Sequence, residues 1–184
     1  EDKYGDLSIG YWVTPEYSDE DALRSFSRTP EMVAYFNELT GIPYPYEKLD
    51  QIIIDDFMWG GMENITLIHQ SSRTMHTDRA RPDHTSDGLV AHEIAHQWFG
   101  NMLTTRNWEH IWLNEGFARF SEALWEEEYN GFESYKNYWI NHAYYGPGTI
   151  YVENPDNVSQ IFDGNLTYNK AGWVVHMLRG VMGD

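Results

Sequence analysis

Two histidines stand four residues apart in the tract His92-Glu93-Ile94-Ala95-His96. On an α-helix, residues so spaced lie about 40° apart around the axis and about 6 Å apart along it. Two imidazoles can then converge on one metal ion, while the intervening carboxylate stands beside the ion rather than on it. The spacing predicts a helix from about Gly88 to Phe99, with Ser86 or Asp87 as its cap and Gly100-Asn101 as its stop.

A catalytic zinc site needs three protein ligands and one open position. His92 and His96 supply two. Eighteen residues separate His96 from Glu115, room for the first helix to end, a turn, and a second helix to return antiparallel. A carboxylate near the start of that second helix can serve as the third ligand, and Gly116 lets the backbone come close. Glu93 faces about 100° away from His92. From there it can take a proton from a water activated at the metal and pass it to a leaving amine.

The remaining elements form an order of a few strands followed by mostly helices, an α+β pattern. Leu7 to Val13 reads as a strand, broken by Pro15. Thr29-Pro30-Glu31 opens a helix with Thr29 as N-cap, and Gly41 closes it. Ile52-Ile53-Ile54 is a buried strand, and Ile65 to His69 the next one. Gly60-Gly61 between them marks a turn or a close backbone approach. Arg73 to Asp87 reads as a polar loop. Later helices are expected over Leu113 to Tyr129, with Phe117, Phe120, Leu124 and Trp125 as the apolar stripe, then over Phe132 to Tyr144 and Tyr168 to Met182. A long loop spans Gly146 to Asp163.

Charge narrows the partners. With 29 acidic against 12 basic side chains, the net charge of −17 repels phosphate backbones and argues against nucleic acid. No apolar run reaches the length of a membrane span. Cysteine is absent, so no disulfide frame exists. The chain starts Glu1-Asp2-Lys3 without an initiator methionine or targeting segment and reads as an excerpt of a longer protein.

Three tracts carry a family resemblance. They are Gly60-Gly61-Met62-Glu63-Asn64, then His92-Glu93-x-x-His96 continued by Gln97-Trp98-Phe99-Gly100-Asn101, and Trp112-Leu113-Asn114-Glu115-Gly116-Phe117-Ala118. Their order and content resemble the gluzincin aminopeptidases of the aminopeptidase N type, over about Tyr11 to Leu178. The resemblance implies a thermolysin-like zinc catalytic domain over residues 11–184, truncated at its C-terminal end. Residues 1–10 would be a linker or the last strand of a preceding β domain.

The resemblance further implies one zinc ion on His92, His96 and Glu115, with Glu93 as general base. Glu63 would bind the free α-amine of a peptide, and Gly60, Gly61, Met62 and Asn64 would line the same cleft. The residues themselves agree, since a glycine pair lets a peptide pair with a strand edge and a fixed carboxylate selects an ammonium group. Tyr168 would stabilise the oxyanion. Its context, Tyr168-Asn169-Lys170-Ala171-Gly172, departs from the family's Y-x-K-G by an alanine directly after the lysine. Glu122, seven residues after Glu115, is a candidate hydrogen-bond partner of a ligand histidine. The other histidines, His69, His76, His84, His110, His142 and His176, show no pairing at ligand spacing and read as structural or solvated. Four outcomes stay open on the sequence: an aminopeptidase, a thermolysin-type endopeptidase, a bifunctional epoxide hydrolase and aminopeptidase, or a zinc-binding module without turnover.

Overall fold

The β-branched run Ile52-Ile53-Ile54 ends β3 (Lys48–Ile54), the middle strand of a five-stranded sheet in the order β1-β2-β3-β5-β4. The computed structural model describes residues 2–80 and 84–183, which form two compact units, residues 1–97 and 98–184. The first holds the sheet and three helices, and the second is helical. This is an α+β architecture, as the order of elements predicts.

In the first unit, β1 (Asp2–Tyr4) and β2 (Leu7–Trp12) form a hairpin, and β2 runs parallel to β3 with Ile9 opposite Leu49. β5 (Leu67–Ser71) lies parallel to β3 on its other side. It starts two residues later than the expected Ile65. Thr66, just before it, has a φ of 63°, a left-handed conformation that a continuing strand does not accept. β4 (Gly61–Met62) closes that side of the sheet, antiparallel to β5. Ile9, Leu49, Ile53 and Ile68 are buried, as are Met32, Val33 and Phe36 of α2 (Thr29–Thr40).

Two helix starts differ from expectation. Arg28, not Thr29, occupies the N-cap of α2. The Thr29 hydroxyl instead donates to the Phe26 carbonyl (2.8 Å) and accepts from Gln51 Nε2 (2.7 Å), so it serves a buried polar chain rather than the helix end. Gly41 ends this helix in the left-handed conformation, φ 66°, as anticipated. Helix α1 (Asp19–Phe26) was not foreseen; Ser18 and Asp21 form a reciprocal capping box that starts it. The loop expected from Arg73 contains a 3₁₀ turn (Ser72–Thr74), and its residues 81–83 lie outside the described residues.

Helix α3 (Asp87–Ala95) carries the histidine tract. Ser86 holds its N-cap position, but the Ser86 hydroxyl donates to the Thr74 carbonyl (3.0 Å) instead. The helix stops four residues short of Phe99. His96 is its C-cap, and the Gln97 amide donates to the Ile94 carbonyl (3.0 Å), a tightened last turn.

The second unit is built on α4 (Trp112–Asn130), α5 (Phe132–Asn141), a short α6 (Val158–Ile161) and α7 (Ala171–Met182). Gly131 separates α4 from α5 at φ 85°. α6 interrupts the expected long loop; Ile161 packs there with Ile111 and Val152. A π-helix (Gly164–Lys170) runs straight into α7, so the last helix starts earlier than Tyr168 and with a wider turn. No helix among the described residues is long and apolar enough to cross a membrane.

Candidate active site

Helix α3 brings His92, Glu93 and His96 into the interior, at 6%, 4% and 1% exposure. One turn of helix brings the two rings together, edge to face, at the predicted spacing. Their Nε2 atoms lie 3.0 Å apart, with ring centroids 4.6 Å apart and planes at 81°. Two nitrogens bound to one tetrahedral zinc at about 2.0–2.1 Å stand roughly 3.3 Å from each other. The pair therefore fits one edge of such a site, and imidazole nitrogen suits zinc chemically.

β4 brings the glycine-pair tract to the same place. As the resemblance implies, Gly61 and Met62 form an edge strand, with Gly61 opposite Gln70 and Met62 opposite His69. A Cβ built on Gly61 would meet the Glu93 side chain, 2.6 Å from its Cγ and closer still to its carboxylate. Real Cβ atoms do not approach so near, so Gly61 is what allows Glu93 to lie against the strand. Gly60 is similarly crowded by Leu89, 3.1 Å from its Cδ1. The Asn64 carbonyl accepts from Leu67 N (3.1 Å), turning the chain back into β5.

Glu63 follows β4 directly and is half-buried. One carboxylate oxygen of Glu63, one of Glu93 and a ring nitrogen of His96 lie within 4.8 Å of one another. Met62, the residue before Glu63, is exposed, as are Met58 and Trp59. Gln97 was quoted in the sequence as part of a family tract without a role. Its side chain is fully buried, and Nε2 donates to the Glu63 carbonyl (3.0 Å) and the Glu93 carbonyl (3.3 Å).

Within the second unit, Glu115 lies in the first turn of α4 and is 4% exposed. The Asn114 side-chain oxygen accepts from Thr105 N (3.3 Å), fixing the residue before it. Gly116 is where α4 meets α7: a Cβ there would lie 2.9 Å from the Cβ of Ala171 and 3.1 Å from its carbonyl carbon. Gly172 meets α4 in the same way, with Arg119 Cγ at 2.9 Å and Trp139 Cη2 at 3.1 Å from a Cβ. The alanine that departs from the family pattern thus fills the contact with Gly116, and the glycine one position later faces Arg119. Tyr168 is half-buried in the π-helix, whose N-terminus is capped by Asp163 Oδ1 accepting from the Asn165 and Leu166 amides (2.9 Å each). Lys170 Nζ donates to the carbonyls of Gly148 (2.7 Å) and Gly146 (3.1 Å).

Glu122 sits on the buried side of α4 against Arg119 and Tyr138. Arg119 Nη1 donates to both carboxylate oxygens (3.0 and 2.9 Å), and the Tyr138 hydroxyl donates to one of them (2.7 Å). Burial, then the neighbouring Glu122 charge, pushes the Tyr138 phenol well above its usual range. Burial alone would lower the Arg119 pKa, but Glu122 and Tyr138 outweigh it and the guanidinium stays firmly charged. Sequence reasoning gave Arg119 and Tyr138 no role, since an Arg three residues before a Glu is an ordinary helix pair. His176 packs among Trp139, Trp173 and Tyr135, with Nδ1 2.6 Å from the Tyr135 hydroxyl.

The chain is similar to several named aminopeptidases. The chain is 32% identical to Aminopeptidase M1-A of Oryza sativa subsp. japonica over 163 residues, covering 80% of the chain and 18% of that protein. It is 33% identical to Endoplasmic reticulum aminopeptidase 1 of Mus musculus over 164 residues, 80% of the chain and 17% of the relative. Against Aminopeptidase N of Mus musculus the identity is 29% over 192 residues, 94% of the chain and 20% of the relative. The chain thus spans no more than a fifth of the length of these relatives. The model of the peptidase family M1 domain matches residues 24–184. With that match, the ordered tracts and the glycine-to-glutamate packing of β4 on α3, the chain belongs to peptidase family M1.

Proposed function

We propose that this chain carries a zinc-dependent aminopeptidase centre that releases N-terminal residues from peptides. The observation that supports it most is the convergence of Glu63 with Glu93 and His96, their ligand atoms within 4.8 Å. A carboxylate fixed at that distance from a proton-transferring glutamate is one peptide residue's reach from the bond to be cut. The names of the relatives, all aminopeptidases, point the same way.

His92, His96 and Glu115 would hold the zinc; all three are buried. Zinc, when bound, polarises a carbonyl and lowers the pKa of water to about 7. Glu63 binds the α-ammonium and sets the register of the peptide, whose backbone extends along the open edge of β4. Glu93, held against Gly61, accepts a proton from the attacking water and returns it to the leaving amine. Tyr168 donates a hydrogen bond to the oxyanion as the carbonyl becomes tetrahedral, an effect of about 10²–10³ in rate. Met62, exposed next to Glu63, would border the pocket and tolerate apolar first residues. The proposal concerns the full-length protein, whose further domains would complete the walls of the pocket.

The test compares aminoacyl fluorogenic amides bearing a free amine with their N-acetylated counterparts, with and without chelator. The aminopeptidase reading expects zinc-dependent cleavage of the free amines only, and a loss of about 10²-fold or more on Glu63→Ala. Equal cleavage of acetylated substrates would indicate an endopeptidase. Stoichiometric zinc with no turnover would leave a binding module.

A further inference from the structure

Gln97 is fully buried, yet its side-chain oxygen has no hydrogen-bond partner among the described residues. An orphaned buried acceptor costs about 1–3 kcal/mol. Flipping the amide would not help, because its other end faces two carbonyls that need a donor. The arrangement leaves the oxygen unmatched in order to aim Nε2 at Glu63 O and Glu93 O. The helix end explains why Glu93 O needs it. In a continuing α-helix the Gln97 amide would donate to the Glu93 carbonyl. Here that amide turns to Ile94 instead, and the side chain of the same residue supplies the donor to Glu93. Its second hydrogen then reaches across to the segment just after β4.

We infer that Gln97 is a positioning residue for substrate selection: one carboxamide nitrogen clamps the backbone of Glu63 to the backbone of Glu93. β4 is two residues long and lies at the end of the sheet against β5, so it has few ladder bonds to hold Glu63 in place. Gly61 packs against the Glu93 side chain, and Gln97 locks the same two segments from the backbone side. The clamp fixes the distance between the amine-binding carboxylate and the proton-transferring one. This inference rests on the assignment of Glu63 as the amine anchor.

A double-mutant cycle in the full-length protein tests it, with kcat/KM on a free-amine aminoacyl amide as the readout and zinc content as a control. Gln97→Met keeps the shape and removes the donors; Gln97→Glu is the substitute if the methionine variant does not fold. The clamp expects Gln97→Met to lower kcat/KM about tenfold in the wild-type background and less than about twofold when Glu63 is already alanine, with zinc content unchanged. The same loss in both backgrounds, or no loss in either, would overturn the clamp while leaving the anchor intact. If Glu63→Ala itself leaves kcat/KM unchanged, the anchor assignment fails and the clamp falls with it.

Discussion

Gly61 and Glu93 share a space too small for a methyl group: a Cβ on the glycine would stand 2.6 Å from the glutamate's Cγ. The two residues are 32 apart in sequence and belong to different elements, an edge strand and a buried helix. Their contact decides where the Glu93 carboxylate lies. Gly61→Ala would push that side chain aside, because its outer atoms yield more readily than the strand. We expect kcat to fall by about 10²-fold or more, the range of a lost general base. The melting temperature should move by no more than about 4 °C, and zinc should stay bound. Kinetics, calorimetry and metal analysis on one preparation would check this; wild-type kcat would mean that the carboxylate does not act from this position.

The meeting of α4 and α7 at Gly116 and Ala171 makes a second, reciprocal prediction. Gly116→Ala puts two Cβ atoms 2.9 Å apart and should cost about 1–3 kcal/mol by overpacking. Ala171→Gly alone should cost about 1 kcal/mol through helix propensity. Combined, the two should cost less than their sum, since the second frees the space the first needs. Rescue will be partial, because a Gly116 Cβ also meets the carbonyl carbon of Ala171 at 3.1 Å. Urea unfolding of the three variants measures it, and strict additivity would contradict the contact.

Glu122 neutralises a guanidinium that is largely buried. Removing it in Glu122→Ala leaves Arg119 and the Tyr138 hydroxyl facing an apolar gap, at a cost of about 3–5 kcal/mol. The pair Arg119→Met with Glu122→Leu should cost far less, because no charge is left without a partner. Denaturant midpoints of the single and double variants separate the outcomes. A double variant as unstable as the single one would show that the ion pair is worth more than its desolvation.

Stability should fall at both ends of the pH scale through identifiable groups. Burial raises the phenols of Tyr11, Tyr44 and Tyr138 above their ordinary values. Above about pH 10 the unfolded chain loses these protons while the folded one keeps them, so the folded state binds more protons and stability drops as pH rises. On the acid side, burial and then the Arg179 charge lower the His176 pKa. Below about pH 6.5 the unfolded imidazole gains a proton before the folded one, and stability falls as pH drops through the folded value. Urea midpoints from pH 5 to 11 should show both declines. Tyr138→Phe should flatten the alkaline one, and His176→Phe the acid one.

The helix that carries His92 and His96 and the succession of a few strands before mostly helices were legible in the sequence because period and spacing encode them directly. His92 and His96 needed only a helix, and β3 announced itself by three isoleucines. What could not be read depended on partners distant in the chain. Thr29 has the sequence of a cap, yet its hydroxyl is claimed by Gln51. Helix α3 runs on to Phe99 by pattern, yet it stops at Ala95 where the Gln97 side chain takes over a backbone duty. On α4 the apolar residues suggested the buried stripe. Leu124 and Trp125 are buried as expected, but Phe117 and Phe120 are only half-buried, while Glu115 and Glu122 lie within, Glu122 against Arg119 and Tyr138, partners that hydrophobic pattern does not reveal. The Ser18-to-Asp21 capping box was present in the sequence and would have found α1.

The wide turn that carries Tyr168 has a consequence for how this segment tolerates change. A π-helix is an α-helix accommodating one surplus residue. Deleting a single residue between Gly164 and Thr167 would let the segment relax to ordinary α geometry and merge smoothly with α7. The flanking residues would keep their register, and only those within the wide turn, Tyr168 among them, would shift onto the regular α spiral. On the role proposed for Tyr168, a shorter, more regular chain would be the less useful one: the irregular turn lets a straight helix present a phenol that its own periodicity would point elsewhere.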